Sequence, residues 1–162
     1  MIGCSKMGLD FTVASTPKYY PDKELISKCT GFAKQSSSSI IFESDPYRAA
    51  QNADVIYTDI WVSMGEPDEV WKERIDELSA YAVTKDIMAA ASSNAVFMHC
   101  LPSYHDKKTE IGKEMCEKFG RDSMEVTDEV FESNSSVVFR EAENRMHTIK
   151  AVMAATLGGE LI

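Results

Sequence analysis

Apolar residues in this chain come in two patterns: short continuous runs, and longer segments where they recur every three or four positions. The first pattern marks strands and the second amphipathic helices. Met1 to Met7, stopped by Gly8, reads as the last turns of a helix. Leu9 to Ser15 is rich in strand-forming residues, and Pro17 to Pro21 reads as a loop. Asp22 can cap a helix running to about Lys34, with Leu25, Ile26, Cys29 and Phe32 or Ala33 on one face. After the polar link Gln35 to Ser39, Ile40 to Glu43 forms a second strand. Asp45 and Pro46 suit the N-cap and first position of a short helix. Asp54 to Asp59 is a third strand, Pro67 to Leu78 an amphipathic helix, and Thr84 caps a helix through Ala91. Ala95 to His99 is a fourth strand. Glu110 to Phe119 is helical, with a short strand near Met124 to Val126. From about Ser135, Val138, Ala142, Met146, Ile149, Met153 and Leu157 keep the spacing of one long amphipathic helix.

Short apolar strands alternating with helices predict an α/β fold, a doubly wound, mostly parallel sheet with helices on both faces. In such sheets ligands bind beyond the carboxyl ends of the strands. Two polar clusters fall there: Asp59 to Gly65 after the third strand, and His99 to Pro102 after the fourth.

Composition narrows the picture. The 162 residues carry 17 Lys and Arg against 26 Asp and Glu, a formal charge of −9. Such an acidic balance excludes a general nucleic-acid binder, which needs a basic face. No apolar run approaches the roughly 20 residues of a membrane span. Four cysteines without paired spacing read as reduced, mostly buried thiols of a cytoplasmic protein. Neither a P-loop nor a G-x-G-x-x-G segment occurs, so no nucleotide is indicated.

Each cluster admits a functional and a plainer interpretation. Asp59 can bind a cationic group, with Ser63 adding a hydroxyl and Gly65 a close backbone approach; equally, Asp59 can cap its own loop. Cys100 serves chemistry only if its pKa falls, and a buried inert thiol is the alternative. His99 and Cys100 are strand neighbours pointing to opposite faces, which argues against a catalytic dyad. His99, Cys100 and His105 lack the paired spacing of a zinc site. Glu141 and Arg145 are four apart on a helix, so a surface ion pair competes with a role for Arg145 in holding phosphate or carboxylate. His147 reads as packing or surface.

Taken in order, D-I-W-V-S-M-G at Asp59 to Gly65, H-C-L-P at His99 to Pro102 and E-A-E-N-R at Glu141 to Arg145 resemble ornithine carbamoyltransferases. The resemblance spans essentially the whole chain but covers only that family's C-terminal, ornithine-binding domain and last helix. S-M-G favours ornithine over aspartate or putrescine. H-C-L-P is commonly followed by Ala-His-Arg in the family; here Ser103-Tyr104-His105 follows.

The resemblance implies that Asp59, assisted by Ser63, binds the α-amino group of L-ornithine, with the backbone of Met64 at its α-carboxylate. Cys100 would sit near the attacking side-chain amine, where a carboxylate and a thiolate could relay its proton. The backbone of Cys100 and Leu101, with the Arg145 guanidinium, would contact carbamoyl phosphate. Asp59, Cys100 and Arg145 are the implied catalytic residues. No cofactor or metal is implied, and the complete enzyme would be a homotrimer.

The family's S-T-R-T-R and His-Pro-x-Gln phosphate-binding segments do not occur here. Its G-D-x-N-N turn and the central strand before it would lie ahead of Met1. Residues 1–134 are therefore expected to form a truncated ornithine-binding domain, and 135–162 a helix that packs on the absent N-terminal domain. The expectation is a fragment inactive by itself, with the apolar stripe of its last helix exposed or used in an oligomer. The alternatives are a non-catalytic amino-acid-binding or interaction module of the same fold, and a different small-molecule enzyme of doubly wound type.

Overall fold

A computed structural model describes residues 1–62 and 66–157. Ser63 and Met64, two of the expected substrate contacts, lie outside the described residues, as does Gly65.

Helix α1 (Ile2–Met7) ends at Gly8, whose φ of 75° is the left-handed stop that the sequence predicts. Strand β1 (Phe11–Ala14) follows. Pro17–Tyr19 form a 3-10 turn where a loop was expected. Helix α2 (Lys23–Ser36) starts at Asp22, whose carboxylate accepts the Leu25 N–H. Strand β2 (Ile40–Glu43) leads into α3 (Pro46–Ala50), where Asp45 accepts from both Tyr47 and Arg48 N–H groups. Strand β3 (Val55–Thr58) is followed by α4 (Asp68–Leu78) and α5 (Lys85–Ala90), the latter capped by Thr84. Strand β4 (Val96–His99), α6 (Glu110–Phe119), the single turn α7 (Asp128–Phe131) and the long α8 (Val138–Thr156) complete the chain.

The α/β class and the parallel strand direction are as predicted. The four strands form two pairs, β1–β2 and β3–β4, and each has one strand partner among the described residues. Ile41, Val55 and Tyr57 are about half exposed on these sheets. The strand expected near Met124 to Val126 is reduced to a single bridge between Val126 and Val83. The last helix begins at Val138 rather than near Ser135, because residues 135–137 serve the sheet instead. Phe97 N–H donates to the Ser135 carbonyl and Val137 N–H to the Phe97 carbonyl, both at 2.9 Å.

One apolar cluster lies beneath β4, where Phe97, Val83, Ile87, Val126, Val130, Phe131 and Val138 are buried. A second lies under α4 and α6, where Trp71 meets Tyr104 edge-on and stacks on Phe119. The α8 stripe faces outward: Met146, Ile149, Val152 and Met153 are each half exposed or more. Among the described residues, no helix is long and apolar enough to cross a membrane.

Candidate functional site

Parallel register builds the centre of the site. Thr58 stands opposite His99, so the residues that leave the two strands, Asp59 and Cys100, emerge side by side. The Cys100 thiol donates to Asp59 Oδ1 at 3.0 Å. Asp59 Oδ1 also accepts its neighbour's amide, Ile60 N–H, at 2.7 Å. Asp59 is thus a loop cap and a partner of Cys100 at once.

Cys100 is exposed, contrary to the buried-thiol alternative, and only Cys29 and Cys116 of the four cysteines are buried. Its pKa is pushed up to about 11, first by desolvation around the sulfur and then by the Asp59 carboxylate. A thiol at neutral pH therefore replaces the thiolate expected from the resemblance. Tyr57 projects beside it and is itself held well above an ordinary phenol, by desolvation and then by the Glu141 carboxylate.

The bridge at residues 135–137 brings α8 across the end of β4. Glu141 then continues the backbone ladder with a side chain, accepting the His99 N–H at 3.0 Å. Glu141 is consequently not paired with Arg145. The Arg145 guanidinium makes no ion pair or hydrogen bond among the described residues, so the expected surface pair is absent. Tyr57, Cys100, Glu141, Asn144, Arg145 and Thr148 line a cleft of about 380 Å³. An unpaired guanidinium facing a thiol and a carboxylate pair suits a ligand with an anionic end and an amine end.

The loop after Cys100 is anchored from below. His99 is fully buried and points away from Cys100, as strand alternation requires. Its Nδ1 accepts the Leu101 N–H at 2.9 Å, so its proton resides on Nε2, which donates to Glu125 at 3.2 Å. The Leu101 amide is thereby committed within the protein. Leu101 itself holds a left-handed φ of 53°.

His105 lies apart from this cleft. With Asp128 and Glu132 it brings three ligand atoms within 4.8 Å of one another. Lys108 sits 3.7 Å from Asp128 and already supplies the local positive charge. His147 is exposed, as expected. The residues sequence reasoning missed are Tyr57 and Glu125. Tyr57 looked like one more strand aromatic. Glu125 sits between Met124 and Val126, and alternation would send it to solvent; both faces of that segment are buried.

An Asp-Cys pair at the carboxyl ends of two parallel strands, faced by an arginine on a crossing helix, stands where α/β folds of the doubly wound class hold their ligands. The sequence narrows the class further. Residues 1–156 match the Asp/Orn binding domain of the aspartate/ornithine carbamoyltransferases, and the chain belongs to that family. It is 53% identical over 159 residues to an ornithine carbamoyltransferase of Pediococcus pentosaceus, covering 98% of this chain and 48% of that one. A catabolic ornithine carbamoyltransferase of Treponema denticola is also 53% identical, over 97% of this chain and 46% of its own length. The chain spans about half the length of the curated relatives it matches. Among solved structures, the ornithine carbamoyltransferase of Pyrococcus furiosus superposes with a TM-score of 0.79 at 38% identity, covering 96% of this chain and 44% of that one. That of Gloeobacter violaceus gives 0.77 at 29%, covering 97% and 46%.

Proposed function

We propose that this chain is the ornithine-binding part of a cytoplasmic ornithine carbamoyltransferase. Asp59, with Ser63 and Met64, receives the amino-acid end of L-ornithine, and Cys100 lies beside its side-chain amine. The observation that carries this reading is the convergence of Asp59, Cys100 and Arg145 on one strand end, in a chain of this family. In the reaction the neutral amine nitrogen bonds to the carbamoyl carbon, and the carbon–oxygen bond to phosphate breaks. The nitrogen loses a proton to the departing phosphate, giving citrulline. Asp59 holds a cation and Cys100 stays protonated with its S–H directed at Asp59, so the sulfur acts as a hydrogen-bond acceptor at the amine rather than as its base. Arg145 offers a preorganised cation to the charge that grows on the phosphate side.

The same reading makes the chain incompetent for turnover by itself. Arg145 is a lone guanidinium in the cleft, and the sequence lacks the family's other phosphate-binding segments. The division of the sheet into two pairs supports a further strand between β1 and β3, and the exposed α8 stripe supports a second domain against that helix. The complete enzyme would be a homotrimer. The test is a thermal-shift titration with L-ornithine, alone and with carbamoyl phosphate, alongside a citrulline assay. Stabilisation by ornithine without citrulline is expected; sustained citrulline production would refute the inactivity, and absence of any ornithine effect would refute the binding.

A further inference from the structure

We infer that Glu125 is a positioning residue for the amine end of this site, an assignment that rests on the ornithine reading above. Glu125 is fully buried, and so is His99. One carboxylate oxygen, Oε1, gathers three donors: His99 Nε2 at 3.2 Å, Ser103 Oγ at 2.8 Å and Tyr104 N–H at 2.8 Å. Those donors flank Cys100, Leu101 and Pro102 on both sides. The Leu101 amide closes the inner ring onto His99 Nδ1. The segment that presents the Cys100 thiol to Asp59 is therefore pinned at both ends to one oxygen.

Burial makes this arrangement costly, and the cost points to a purpose. A buried carboxylate needs compensation on both oxygens. Here Oε2 has no hydrogen-bond partner among the described residues. An apolar residue could fill the same space without that penalty. What it could not do is fix the His99 tautomer, since only an acceptor at Nε2 leaves Nδ1 free for the Leu101 amide. Glu125 touches no cleft atom; it acts through His99 and the loop, on the position of Cys100. In that reading Cys100 faces the side-chain amine directly and reaches the α-amino end only through its bond to Asp59, so ornithine should lose more than an amino acid without that amine.

That division sets the test. Glu125→Met keeps the length of the side chain and removes the acceptor oxygen, which Glu125→Gln would retain. Binding of L-ornithine and of 2-aminopentanoate, which lacks the side-chain amine, would be compared by calorimetry in both proteins. In parallel, nitrogen-15 NMR would report the His99 tautomer and the amides of Cys100 and Leu101. Expected are an Nε2-protonated His99 in the native protein and ornithine weakened roughly tenfold or more by Glu125→Met, with 2-aminopentanoate changed less than about twofold. Equal loss for both ligands would show general damage and overturn the assignment, as would unchanged ornithine binding or a native His99 protonated on Nδ1. Should the variant not fold, Ser103→Ala removes one of the three donors; it must show the same ligand selectivity at smaller size, or the assignment fails. If the native chain binds no ornithine, the functional reading fails separately. The NMR arm then decides alone: displaced Cys100 and Leu101 amides in the variant support the pinning, and unmoved ones refute it.

Discussion

The raised pKa of Cys100 makes a quantitative prediction about a thiol that looks accessible. At about 11, it lies two units above the ordinary value of 9.0. At pH 8 the thiolate fraction is then about a hundredfold below that of a free cysteine. A more basic thiolate is more nucleophilic, with a Brønsted slope of roughly 0.45, which returns about eightfold over two units. Reaction with a small aromatic disulfide should therefore run about tenfold slower than for a free thiol. Asp59→Asn removes the neighbouring negative charge and leaves the desolvation. Because desolvation remains, the thiolate fraction and the rate should rise part of the way toward those of a free thiol. The assay is site-resolved modification of Cys100 by mass spectrometry, since Cys29 and Cys116 are buried. The rate should be followed from pH 7 to 11, because the midpoint of that profile reports the pKa independently of steric shielding. A native midpoint below about 9, or a midpoint raised by Asp59→Asn, would refute the account of this pair.

Further outcomes can be read from the fold. Phe97→Ala, at the buried centre of the cluster beneath β4, should cost about 3–5 kcal/mol in urea unfolding, because the cavity there cannot collapse against a strand. Asp45→Ala removes an acceptor for two N–H groups and should cost about 1 kcal/mol by the same measurement. Ile149→Glu and Met153→Glu should each change stability by less than about 0.5 kcal/mol, since both side chains are half exposed, while reducing any self-association seen by ultracentrifugation. Glu77 is held below the ordinary carboxylate range by Tyr19 and then Lys18. Its contribution is present above the unfolded pKa and fades as pH falls through the lowered folded value. The Tm difference between the native chain and Glu77→Gln should therefore shrink in acid and stay constant above about pH 5.

Local signals in the chain were enough to define its elements. Asp22, Asp45 and Thr84 supply capping oxygens, Gly8 a left-handed stop, and the apolar runs a period, all of which act within a few residues. The clusters at Asp59 and Cys100 were legible because strand ends are where such folds bind ligands, and the resemblance rested on contiguous motifs. What contiguous residues cannot encode is who faces whom. Register across β3 and β4, fixed by long-range packing, decided that Cys100 meets Asp59, where desolvation and then the carboxylate make it harder to ionise. The bridge of residues 135–137 to Phe97 decided that Glu141 serves the His99 amide, which left Arg145 free for the cleft. Glu125 stands 26 residues from His99, and nothing in its flanking Met and Val announces a carboxylate buried from both sides. Hydrogen bonding and desolvation depend on distances of a few ångströms between segments far apart in the chain. Local propensity and capping act within one turn of backbone, so the sequence determined the elements and the motifs, and tertiary packing alone decided their partners and their protons.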